Sequence, residues 1–126
     1  MILKHSNNVE KHFIQRDGFA GASVRYLLVK DDGCPNYAIR LMEFDLNGHT
    51  SYHAHEEEHE FYFLEGQGIL VDNDGIEHEV KPGDVVYIPQ KHKHQIKNTG
   101  NVVLKVICTI PIFENGDGKV TKMVEK

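Results

Sequence analysis

From Ser23 to Pro111 the chain is a succession of short segments rich in β-branched and aromatic residues, each cut off by turn residues before a helical period can develop. SVRYLLVK and YAIRLMEFDL are separated by DDGCPN, in which Gly33, Pro35 and Asn36 all favour a bend. After Asn47-Gly48 come a histidine-bearing strand, EFYFLEG and GQGILVD, the last closed by the turn Asp72-Asn73-Asp74-Gly75. IEHEV, the turn Lys81-Pro82-Gly83-Asp84, VVYI, a loop from Pro89 to Lys93, HQIKN and VVLKVICTIP complete the series. Roughly nine strands at hairpin spacing, with no amphipathic helix among them, predict an all-β antiparallel sandwich or barrel. Residues 1–22 show no sustained period and are expected to form an N-terminal arm or edge strand, leaving 23–126 as a single barrel domain.

Within this frame, four histidines have the spacing of a metal site. His53 and His55 are two apart, so in extended backbone both side chains leave one face, about 6.6 Å apart at the backbone. His59 follows the acidic bend Glu56-Glu57-Glu58 and opens the strand His59 to Glu65, which can return beside the first pair. His94 arrives from the other histidine-bearing segment. The remaining histidines, His5, His12, His49, His78 and His92, are expected at the surface, and the three glutamates are expected to be a solvated bend.

Parity places His59, Phe61 and Phe63 on one face of their strand and Glu60, Tyr62 and Leu64 on the other. In the last strand Lys105 marks the outer face, so Val102, Leu104, Val106, Cys108 and Ile110 should point inward. Phe61, Phe63, Val106, Cys108 and Ile110 are therefore the expected apolar wall beside the histidines. Arg40 shares parity with Met42 and Phe44, and if that face is the inner one it is a candidate anchor for an anion. Neutral imidazoles suit zinc, copper, iron and nickel, with manganese open to availability, so one divalent transition metal (Fe, Mn, Cu, Ni or Zn) is the expected cofactor.

A length of 126 residues fits one domain with its own core, and the formal charge of −5 argues against nucleic acid or an anionic membrane as partner. The opening MILKHSNN holds no apolar run of signal-peptide length and no later stretch approaches a transmembrane span, which predicts a cytoplasmic protein. Cys34 and Cys108 match no disulfide framework or metal spacing and are expected to be reduced thiols.

Between Tyr37 and Pro111 the chain resembles a small single-domain cupin. The first family motif, HxH, three or four residues, glutamate, six residues and glycine, is met by His53-x-His55, His59 and Gly66, with histidine where the glutamate ligand normally stands. Glu60 offers a second register, one place later. The second motif is met by Gly83, Pro89, His94 and Asn98, with Lys91 in place of a glycine, and Asn47 stands where another glycine is usual. The resemblance implies a cupin-type double-stranded β-helix, an antiparallel jelly-roll barrel, with the metal inside on His53, His55, His59 and His94. It implies a small-molecule substrate and a homodimer paired through edge strands. With an all-histidine site it points to a metal-dependent oxidoreductase of dioxygenase type. The alternatives are a non-redox isomerase or lyase acting on a sugar or keto acid, and a non-catalytic small-molecule binding or sensor protein.

Overall fold

The structure, a computed structural model, describes residues 1–124. Its strands are β1 Lys11–Phe13, β2 Ala20–Leu28, β3 Tyr37–His49, β4 His59–Glu65, β5 Gly68–Val71, β6 Glu77–Val80, β7 Val85–Ile88, β8 Gln95–Asn98 and β9 Leu104–Pro111. All ladders are antiparallel, in the order β6-β5-β8-β3-β9-β4-β7, with β2 added on β3 and β1 on β2. None of the helices among the described residues is long and apolar enough to cross a membrane.

The longest strand curls the sheet. β3 pairs with β2 along one edge and with β9 along the other, and at its far end His49 lies opposite Lys97 of β8. Register shifts between Ala20 and Ala22, between Tyr26 and Leu28, and between Phe63 and Glu65 add the local bends that closure requires. Asn47 sits in this bend at φ 65°, a left-handed conformation that asparagine tolerates well, and so serves where glycine was expected. Gly66 has φ 81°, and a Cβ there would meet the Val103 carbonyl oxygen at 2.7 Å, so the hairpin after β4 needs glycine on both counts.

Alternation decides which side chains enter the concavity. On β4, His59, Phe61 and Phe63 are buried while Glu60 and Tyr62 are exposed; on β9, Leu104, Val106, Cys108 and Ile110 are buried. Phe61, Phe63 and the four β9 side chains join Phe44, Ile96 and Ala38 in one core. Val102 departs from the expected pattern: it is 55% exposed, because the strand begins only at Leu104 and Val102 lies in the turn before it. On the outer face the buried Glu43 carboxylate accepts from Arg25 Nε at 3.1 Å and has Lys11 Nζ at 3.5 Å, while Arg25 Nη1 donates to the Val9 carbonyl at 2.6 Å. That cluster fastens the arm, whose β1 pairs with β2.

The expected histidine strand is not a regular strand. His53 and His55 make only isolated bridges, His53 to His94 and His55 to Met123, since the acidic bend follows at once and leaves no room for a continuous ladder. Glu57 also departs from the solvated reading: its buried carboxylate accepts the Lys122 main-chain N–H through both oxygens, at 2.9 and 3.0 Å.

Asn98 closes the barrel from within. Its Nδ2 donates to the carbonyls of Phe44, Asp45 and Val102 at 2.9, 3.1 and 2.9 Å, and its Oδ1 accepts from Gly100 N at 3.0 Å. Asn98→Ala strips buried acceptors of partners and should lower stability by about 2–4 kcal/mol, read as a fall in the urea midpoint at unchanged slope. A loss below about 0.5 kcal/mol would show that those carbonyls find other donors.

Candidate metal centre

His53, His55 and His94 meet in the mouth of the barrel, with His59 beside them. His53 and His94 exchange main-chain hydrogen bonds of 3.1 and 2.9 Å across their bridge, so the two rings start side by side. His55 is fixed from both sides: its carbonyl accepts from Lys91 N at 2.9 Å, and the neighbouring Ala54 carbonyl and Glu56 N–H pair with Val124 and Lys122. Lys91 adopts φ 65° to reach His55, which is the physical reason a glycine suits that position. His59 is the first residue of β4, held opposite Ile88 of β7.

Main-chain carbonyls then set the rings. Nδ1 lies 2.8 Å from the Ser51 oxygen in His53, 2.7 Å from the Glu57 oxygen in His55 and 2.9 Å from the His92 oxygen in His94. A carbonyl can only accept, so in each ring Nδ1–H donates and the neutral imidazole keeps a lone pair on Nε2. The ligand atoms of His53, His55 and His94 lie within 4.8 Å of one another. Lone pairs gathered in this way repel until a cation sits between them, and carbonyl-oriented imidazoles are the usual support of a bound metal. This cluster can hold a metal ion.

His59 stands at the edge of the cluster. Its Nε2 is 2.5 Å from His55 Nε2, and its ring is 5.1 Å from that of His94, centroid to centroid. No carbonyl sets its proton: with a lone pair on His55 Nε2, His59 Nε2–H donates to it, and Nδ1 accepts from the Cys108 thiol at 2.7 Å. Glu60, the alternative in the other register, is exposed on the outer face of β4 and pairs in the ladder with Tyr87 and Thr109.

Burial is the main cause holding all four imidazoles below their ordinary pKa of 6.5: His55 to about 3, His94 to about 4, His53 lowered and His59 well below. The neighbouring rings push His55, His59 and His94 the same way, and Arg40 does so for His53, His55 and His59. The rings are therefore neutral at neutral pH, the form that ligates.

The cavity over them is about 310 Å³. Phe61, Arg40, Met42 and Ile96 border it from the barrel, and His12, Phe13, Ile14, Arg16 and Phe19 border it from the N-terminal segment. Phe19 stacks on His53 with centroids 5.6 Å apart, under the guanidinium of Arg16. Of the expected pocket residues, Phe61 and Arg40 border the cavity, Cys108 touches His59 and Arg40 from behind, and Phe63, Val106 and Ile110 are packed into the core. The N-terminal contribution had no local signal in the sequence, because it depends on where a non-periodic segment crosses the mouth.

A cupin-domain family profile matches residues 40–110. This chain is a cupin. The jelly-roll fold agrees with solved relatives: the polyketide cyclase RemF of Streptomyces resistomycificus superposes with a TM-score of 0.86 at 28% identity, over all of this chain and 87% of that one. A predicted oxalate decarboxylase of Thermotoga maritima gives a TM-score of 0.79 at 26% identity, over 89% of this cupin and 100% of that chain. By sequence, the cupin is 41% identical over 113 residues to an oxalate-binding protein of Thermotoga maritima, covering 87% of this chain and 93% of that protein. It is also 42% identical over 74 residues to an uncharacterized protein of Methanocaldococcus jannaschii, a match spanning 56% of this chain and 58% of that protein.

The depressed histidines make a pH prediction for the metal-free protein. An unfolded histidine takes its proton near 6.5, whereas the folded rings resist protonation down to about 4 and about 3 in His94 and His55. The unfolded chain thus binds more protons in that window, and stability must fall as pH drops through it. The urea midpoint should decline steadily below pH 6.5; a flat profile would show that the rings are not buried and neutral.

Proposed function

We propose that this cupin is a metal-dependent enzyme that holds one divalent transition metal on His53, His55 and His94, with His59 as fourth ligand, and acts on a small organic molecule bearing an ionisable oxygen. The observation that carries the reading is the set of main-chain carbonyls that lock the proton onto Nδ1 and turn the Nε2 lone pairs toward one another. An imidazole-only donor set leaves the ion its full double charge, so when bound it supplies Lewis acidity toward an enolate or carboxylate oxygen. The residues do the rest. Phe61, Met42 and Ile96 give the cavity an apolar wall, Phe19 covers His53, and the volume of about 310 Å³ limits the guest to a small molecule. The oxalate-binding protein and the polyketide cyclase among its relatives, each named for an oxygen-rich ligand or substrate, support this class.

A second reading is oxidation of such a molecule by oxygen, dioxygenase type; the all-imidazole donor set favours it because the same ligands suit iron and copper. Turnover under nitrogen with zinc or nickel supports the Lewis-acid reading, whereas turnover only in air with a redox-active metal supports oxidation. Tight retention of a small molecule without turnover under either gas would leave a binding or sensor role.

His55→Ala should retain the fold and lose metal affinity by roughly 10-fold or more, measured as metal per chain after dialysis against a buffered metal series. Glu60→Gln should keep wild-type content; a large loss would make Glu60 the ligand in place of His59. A wild-type protein that takes up no metal under any loading would remove the site.

A further inference from the structure

Resting on the metal-centre reading above, we propose that Arg40 holds the substrate by a carboxylate. The substrate class is then a small carboxylic acid. Arg40 lies on β3, is only 7% exposed and borders the cavity. Its Nη1 donates to the Lys119 carbonyl at 3.2 Å and its Nη2 faces Cys108 Sγ at 3.4 Å, a weak acceptor. Its Nε is buried with no hydrogen-bond partner among the described residues. Nor does any carboxylate among the described residues pair with this guanidinium.

Arg25 shows how the same chain treats an arginine of structural purpose. Its Nε lies 3.1 Å from the Glu43 carboxylate and its Nη1 donates to the Val9 carbonyl. Arg40 receives no such anion, although a buried charge without one is costly. Nε and the adjacent Nη2 form the side of the guanidinium that takes a carboxylate through two parallel hydrogen bonds. An anion entering the cavity can therefore satisfy the orphaned donor and neutralise the charge together.

The neighbours of Arg40 connect it to the histidines. Cys108 Sγ, which Nη2 faces, lies 2.7 Å from His59 Nδ1, and His59 Nε2 lies 2.5 Å from His55 Nε2. Arg40 thus adjoins the histidine cluster through Cys108 and His59, so an acid held by its carboxylate has the rest of its length beside the proposed metal ligands. The rest of the molecule meets Met42, Phe61 and Ile96, which suits an apolar substituent.

The test compares an acid with its neutral counterpart. Phenylpyruvate, phenylpyruvamide and oxalate are titrated by calorimetry into metal-loaded wild type, Arg40→Met and Arg40→Lys, with metal content measured on each sample. The acids should weaken by roughly 10- to 100-fold in Arg40→Met while the amide changes by less than about 3-fold, at unchanged metal per chain. Arg40→Lys keeps the charge and loses the fork, so it should fall between the two and shows that the site survives substitution. Equal losses for acid and amide would mean that Arg40 only braces the Lys119 segment, and the proposal fails. It fails too if metal-loaded wild type binds no acid better than the amide. Failure to take up metal at all would instead overturn the metal-centre reading, a separate result.

Discussion

The constraint on which the molecule depends is that one strand serves three ladders. β3 is held by β2 on one edge, by β9 on the other and by β8 beyond its bend, so the sheet cannot lie flat. Its concave side then receives His59 and Phe61 from β4, Ile96 from β8 and Arg40 and Met42 from β3 itself. Fully buried Phe44, Phe63, Leu104 and Val106 fill the space behind them, each contributing about 1.5–3 kcal/mol of burial. The cavity is what remains where the packing gives way to polar side chains.

Those polar side chains are tolerable only because almost every one is paired. Three histidines give their Nδ1 protons to main-chain carbonyls, Glu57 accepts the Lys122 amide, and Asn98 spans the barrel interior with its whole amide group. On the outside Glu43 is neutralised by Arg25 and Lys11. Against that background the gathered Nε2 lone pairs and the unpartnered Arg40 Nε are the exceptions, and they sit around one cavity. Buried groups left incomplete by the protein are the natural contacts of something it binds.

Much of this was legible in the residues. Period-two alternation located β4 and β9 and their inner faces, since a side chain's face in a strand is a matter of parity. Turn residues located the hairpins, and Asn47 does take the left-handed conformation that its place in the motif required. The histidine pair was legible as a pair, yet its strand was not, because two residues ahead of an acidic bend cannot sustain a ladder. Val102 was misplaced by parity alone, which says which face but not where a strand begins.

By itself, then, the sequence determined an all-β barrel resembling a cupin and which face of β4 and β9 would turn inward, because the resemblance rests on motif spacing and the faces on local periodicity. Only the tertiary structure decided the rest. That Glu57 is buried and caps Lys122, that Phe19 and Arg16 cross the mouth, and that Arg40 lacks an anion all depend on contacts between segments far apart in the chain. No local pattern encodes such contacts, for the partner of a buried polar group is chosen by how the sheet closes and not by its neighbours in sequence.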